Sequence, residues 1–182
     1  MQSVDQISGM TGLIREAKAA VVRNGVQHVF ASRLRRARSV ARLIVIASPW
    51  ITAQATKSSA LDQITRIVDE NRIPTYVFSR PPRTSSELLG LQMLMNCPTV
   101  ELVYNPHLHA KLYVCIAPYP YGFAVLGSAN MTANSDALYE IGLIVLAAGG
   151  GEGIIKELAS FGMDYLRTRP ESQVAKQMLK SR

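Results

Sequence analysis

Cysteine is scarce in this chain. Cys97 and Cys115 are the only two in 182 residues, and their spacing matches neither a disulfide framework nor a thiolate metal centre. Both lie in apolar runs and read as buried thiols of a reducing compartment. Long hydrophobic runs are missing as well. No stretch reaches the roughly 18 apolar residues of a membrane span, and residues 1–10 have no apolar core of an export signal. A soluble, cytoplasmic protein without stable membrane association is expected. Acidic residues are in the minority, 13 against 20 Lys and Arg, for a net charge of +7. That balance suits a phosphate-bearing partner, a nucleic acid or an anionic membrane face, although charge of this size also serves solubility alone. There is one tryptophan, Trp50, and no internal repeat.

What is abundant is apolar: 48% of the residues, enough for a packed core and too many for a disordered chain. The length suits one domain. Residues 1–25 are weakly patterned, with a short helix over 13–22, and read as an arm, a tag remnant or part of the domain; a single domain is expected over 26–182. Apolar residues at helical spacing predict a helix over 26–42, whose other faces carry Arg33, Arg35, Arg36, Arg38 and Arg42. These arginines suit a solvated face or a contact with phosphates, and Arg33 and Arg36 are taken as candidate substrate contacts. Strands are expected at 43–47, 74–78 and 100–104. Helices are expected at 60–71, capped by Ser58 or Ser59, and at 84–96. The second half holds strands over 108–116, 123–126 and 139–146, then a helix over 154–166. The basic tail 167–182 reads as a solvated end or as a second element contacting phosphates. Strands alternating with helices and then clustering predict an α/β fold, a mixed sheet flanked by helices on both faces.

The chemistry concentrates in 106–143. His109 and Lys111 stand two residues apart in an apolar run, so a strand there directs imidazole and ammonium to one side. The turn at 118–122 folds the next strand back and delivers Gly127-Ser128-Ala129-Asn130 to the same end. One nucleophile, one cation and the neutral donors Ser128 and Asn130 suit an oxyanion passing through a phosphoryl transition state. His107 is either an accessory contact or a loop residue. Trp50 either stacks a base or packs. His28 reads as a surface residue. A metal held by His107 and His109 is not expected, because no further ligands cluster nearby, and no cofactor is expected.

At these residues the chain resembles the phospholipase D superfamily. His109-Ala110-Lys111, Gly127-Ser128-Ala129-Asn130 and Glu140 with Gly142 match its motif, and 44–51 resembles its first strand and exit loop. There are two departures: Ile116 stands where many members have an Asp, and Leu138 where an Asn often precedes the Glu. The resemblance implies a phospholipase D-like α-β-α sandwich. It also implies a reaction in which one histidine attacks phosphorus, forming a phosphohistidine, while a second protonates the leaving oxygen. His109 would take these roles in two copies of the chain. Lys111 and Asn130 would bind the non-bridging oxygens, Ser128 would assist, and Glu140 would hold the far ring nitrogen of a histidine. One such motif per chain implies a homodimer that pairs His109 with its twin across the motif face.

Three readings stay open at this level. One is a metal-independent phosphodiesterase acting as an endonuclease-like nuclease on DNA or RNA. A second is a nucleic-acid-binding module with weak or lost activity in a repair, restriction or antiviral complex. A third is a phospholipid hydrolase or transferase, which would want an apolar membrane-binding patch.

Overall fold

The computed structural model describes residues 19–53, 59–132 and 139–177. They form one sheet with helices on both faces. The strands are β1 (Ala19–Arg23), β2 (Leu43–Ala47), β3 (Thr75–Ser79), β4 (Val100–Tyr104), β5 (Leu112–Ile116), β6 (Phe123–Gly127), β7 (Ile141–Leu146) and β8 (Gln173–Lys176). The helices are α1 (Val26–Ala37), α2 (Ala60–Glu70), α3 (Ser85–Met95) and α4 (Glu152–Ser160), the last continued by a π-helical turn over Phe161–Leu166. The strand order is β1-β7-β6-β5-β2-β3-β4-β8. Parallel pairing joins β2, β3 and β4; the other pairs are antiparallel.

Covering both faces explains why the central strands are continuously apolar. Alternate residues feed two cores. Ile44, Ile46, Tyr113, Cys115 and Val125 face α1, α2 and α3, meeting Phe30, Leu34, Ile64 and Leu94. Val45, Ala47, Leu112, Val114 and Ala124 face α4 and its extension, meeting Ile155, Ala159 and Leu166. Each fully buried aliphatic side chain contributes about 1.5–3 kcal/mol. Ser59 caps α2 by accepting from Asp62 N at 3.0 Å, and Thr84 caps α3 by accepting from Glu87 N at 3.2 Å. Cys97 and Cys115 are free and buried, and burial pushes the Cys115 thiol up to about 12.

The two ends of the sheet depart from the sequence reading. Residues 19–22 belong to a strand, not a helix; the rest of the helix expected over 13–22 lies outside the described residues. The run Ala-Ala-Val-Val is compatible with either state, and pairing of Ala19–Arg23 with β7 decides it. In the basic tail Gln173–Lys176 pairs with β4 as an edge strand, while Gln173, Val174 and Ala175 stay exposed. Lys176 Nζ donates to the carbonyls of Met95 and Cys97, and Arg167 Nε donates to the buried Glu101 at 2.7 Å. Helix α1 ends at Ala37, short of Arg42, because the N–H groups of Val40 and Ala41 turn back to the Ala37 carbonyl. In α3, Leu91 and Leu94 are buried in the core, whereas Leu88 and Leu89 are exposed.

Phe30 lies at the centre of the larger core, fully buried between Tyr113 and Phe123, with ring centroids 5.6 and 5.3 Å away. Phe30→Ala is expected to lower unfolding free energy by about 3–5 kcal/mol in urea titration. It should also loosen the strand pair that bears the motif.

Candidate active site

The parallel strands β2, β3 and β4 all end at one edge of the sheet. Antiparallel β5 and β7 begin at that edge, and β6 ends there. The loops after β2 and β3, the connection 105–111 and the segment 128–132 therefore converge, in keeping with the rule that open α/β sheets build sites beyond the carboxyl ends of their strands.

His109 and Lys111 precede β5 rather than lying within it, since the strand starts at Leu112. They still project together. Lys111 Nζ is 3.4 Å from His109 Nδ1 and donates to the His109 carbonyl at 2.9 Å. The Lys111 carbonyl accepts from Gly127 N at 3.2 Å, which joins the two motif segments through the backbone. Gly127 must be glycine: a Cβ would stand 2.3 Å from the Ile141 carbonyl oxygen and 2.7 Å from Gly142 Cα. Next along, Ser128 Oγ donates to the Glu140 carboxylate and accepts from Ile141 N at 3.2 Å. Ala129 is fully buried, and its carbonyl accepts from the Tyr113 hydroxyl at 2.8 Å. This holds Asn130 half-buried at the rim. Burial pushes the Tyr113 pKa up, so the hydroxyl stays a neutral donor.

Glu140 depends on β1. The Glu140 N–H donates to the Asn24 side-chain oxygen at 3.0 Å, and the Asn24 N–H donates to the Glu140 carbonyl at 2.9 Å. Asn24, at φ 55, sits in the left-handed region that asparagine tolerates. Ser48 ties the remaining loops: it accepts from Met131 N at 3.0 Å and donates to the Trp50 carbonyl at 2.8 Å.

Arg80 belongs to the site although nothing in the sequence reading singled it out. Its Nε donates to the Leu108 carbonyl at 2.7 Å, steadying the chain just before His109. Its guanidinium lies 5.0 Å from the centre of the Trp50 ring, and Lys111 Nζ lies 6.0 Å from it. A cation directly after a parallel strand is the signal that marks it. Trp50 is thus beside the motif. His107 is exposed and borders a groove with His109. Arg33 and Arg36 are not at the site. They line a cavity with Pro120 and Tyr121 at the opposite edge of the sheet, because α1 runs away from the motif. Ile116 is also distant. It closes β5 at that far edge beside Arg42 and Pro118, roughly 16 Å along the strand from Lys111. The missing Asp therefore removes nothing from the motif cluster. Leu138 lies outside the described residues.

No protein-family model matches the sequence, and no curated protein matches it. The architecture is similar to that of solved structures. A phospholipase D family member, Nuc from Salmonella typhimurium, is 11% identical with TM-score 0.65, covering 89% of this chain and 100% of its own. The chain has the phospholipase D fold. NucT from Helicobacter pylori shares this fold at 17% identity and TM-score 0.57, covering 84% of this chain and 98% of its own. Polyphosphate kinase from Porphyromonas gingivalis shares it at 15% and 0.58, covering 90% of this chain and 28% of its own. At such identities a phospholipase D fold fixes the scaffold; it does not select a reaction or a substrate.

Among the described residues the cluster sets the cations Lys111 and Arg80 against the carboxylate of Glu140. Among the described residues there is no group of three or more His, Cys, Asp or Glu side chains placed to hold a metal. Burial, then the Arg80 charge, lowers the Lys111 pKa, while Glu140 opposes them. Lys111 therefore loses its proton at lower pH than an ordinary lysine. In lysine-resolved NMR titration its midpoint is expected below 10.5, and Arg80→Gln should move it upward. Gly127→Ala should destabilise the fold by about 1–3 kcal/mol through overpacking, seen as a lower urea midpoint.

Proposed function

We propose that the protein is a metal-independent phosphodiesterase that cleaves nucleic acid through a phosphohistidine. The observation that carries this reading is the junction of His109, Lys111, Ser128, Asn130 and Glu140 at one sheet edge, with Arg80 alongside. An imidazole supplies the nucleophile, and the ammonium with neutral donors offsets charge on the non-bridging oxygens.

One imidazole does not suffice. In a single chain the Lys111 ammonium faces His109 Nδ1, which favours keeping the ring proton on Nε2, the form that donates. Attack through Nε2 needs the other tautomer, so one ring cannot attack and donate at once, and a second copy supplies the second imidazole. One His109 attacks phosphorus, forming a P–N bond while the P–O bond breaks. The other gives its Nε2 proton to the leaving oxygen, then takes a proton from the water that displaces the first. An apolar strip beside Glu140 supports this pairing: Val21 and Ile141 are each 61% exposed, with Leu143 next to them. A two-fold contact there would cover the strip on both copies.

Nucleic acid is favoured over phospholipid by the net charge of +7 and by the Trp50–Arg80 pair, which suits a base and its phosphate. Single- and double-stranded DNA and RNA should be incubated with the protein in EDTA. Cleavage is expected to persist in chelator and to disappear in His109→Ala. Salt-sensitive binding without turnover would instead make the protein a binding module, and release of a headgroup from phospholipid vesicles would make it a lipid enzyme. Ile141→Asp is expected to shift sedimentation from dimer to monomer and to abolish cleavage; full activity in a strict monomer would exclude the shared site.

A further inference from the structure

A second set of side chains borders His109 and has no part in the phosphoryl chemistry. The connection after β4 and the chain leaving α4 enclose an open groove of ≈ 300 Å³, lined by His107, His109, Phe161, Tyr165, Arg169 and Glu171 among others. Its wall is the π-helical turn Phe161–Leu166. Gly162 lets this turn press onto the sheet, since a Cβ there would stand 2.5 Å from Val45 Cγ1. Leu166 is buried beneath, and Tyr165 is left 50% exposed. The rings of Phe161 and Tyr165 lie 5.4 Å apart at 19°, and the Arg169 guanidinium lies 3.7 Å from the Tyr165 centroid. Asn105 Nδ2 donates to Ser172 Oγ at 3.0 Å, joining this wall to the loop that leads into His107 and His109.

The chemistry of the groove is that of a flat, electron-rich and cation-capped surface. Aromatic rings and guanidinium planes stack unpaired bases with little regard to sequence. Glu171 accepts hydrogen bonds from exocyclic amino groups and repels phosphate. It therefore favours a base in the groove and the phosphate on the cationic side, towards Lys111 and Arg80. A base within a duplex is already stacked on both faces and paired at its edge, so it reaches such a groove only by extrusion.

We propose that this groove is a nucleobase subsite. It takes the unstacked base next to the phosphodiester held at His109, on the Tyr165–Arg169 stack, and makes single-stranded nucleic acid the preferred substrate. The inference rests on the phosphodiesterase reading above and adds the form of substrate to it.

The test uses DNA and RNA oligonucleotides, single-stranded and as duplexes, together with single strands carrying one abasic position on either side of the cleavage point. Cleavage is measured with the active protein, and binding with His109→Ala by fluorescence anisotropy. The single strand is expected to be cut and bound more tightly than its duplex. Tyr165→Leu and Arg169→Ala should each raise KM, and Kd in the His109→Ala background, by about tenfold on the intact strand. On the strand abasic at the stacked position the same changes should have less than about twofold effect, because the contact is already gone. Equal losses on intact and abasic strands, or no loss on either, would overturn the subsite while leaving the phosphodiesterase reading in place. A protein that neither binds nor cuts any strand would overturn both.

Discussion

Backbone pairing at one sheet edge is the constraint on which everything else depends. The Gly127 N–H to Lys111 carbonyl bond and the contacts of Ser128 with Ile141 stitch β5, β6 and β7 together where the motif emerges. The motif side chains are polar and partly exposed, and their mutual contacts, Lys111 with His109 and Ser128 with Glu140, are too few to organise them alone. Their order is borrowed from strands that are buried on both faces and cannot slip register without moving apolar residues out of the cores. Tyr113 shows the coupling most directly: its ring packs in the larger core and its hydroxyl holds Ala129, one residue before Asn130.

Electrostatics at this edge has a clear sign. Lys111 and Arg80 lie close enough for Arg80 to lower the pKa of Lys111, and both face the Trp50 ring. Holding like charges together is unfavourable, and a bound anion would relieve it. Glu140 is the counterweight, held by Asn24 on one side and Ser128 on the other. Basic residues elsewhere are spent differently. Arg167 neutralises the buried Glu101, and Lys176 caps carbonyls at the end of α3.

Much of this was legible in the residues. The spacing within 109–111 and 127–130 and the turn between them anticipated the hairpin, and the aliphatic runs marked β2 to β7 within a residue or two, except that β5 starts at Leu112 and not at 108. The failures have physical causes. Ala19–Arg23 and Gln173–Lys176 are short, mostly exposed edge strands, whose pairing partners are more than a hundred and about seventy residues away in the chain. Arg33 and Arg36 looked like site residues because helical periodicity says which face a residue occupies but not which end of the sheet the helix reaches. Arg80 was passed over for the same reason in reverse: its loop has no periodicity, and only the parallel pairing of β2, β3 and β4 brings it to His109.

The sequence by itself determined strands β2 to β7, the helices packed on them, and the polar residues that gather where those strands meet. These follow from local pattern and side-chain chemistry. Tertiary structure alone decided that β1 supports Glu140, that Arg80 and Trp50 flank Lys111, that Ile116 and the α1 arginines lie at the far edge, and that Tyr165 and Arg169 stand beside His109. Each of those facts is a distance between segments remote in the chain, set by how two cores close on opposite faces of one sheet, and no local pattern encodes it.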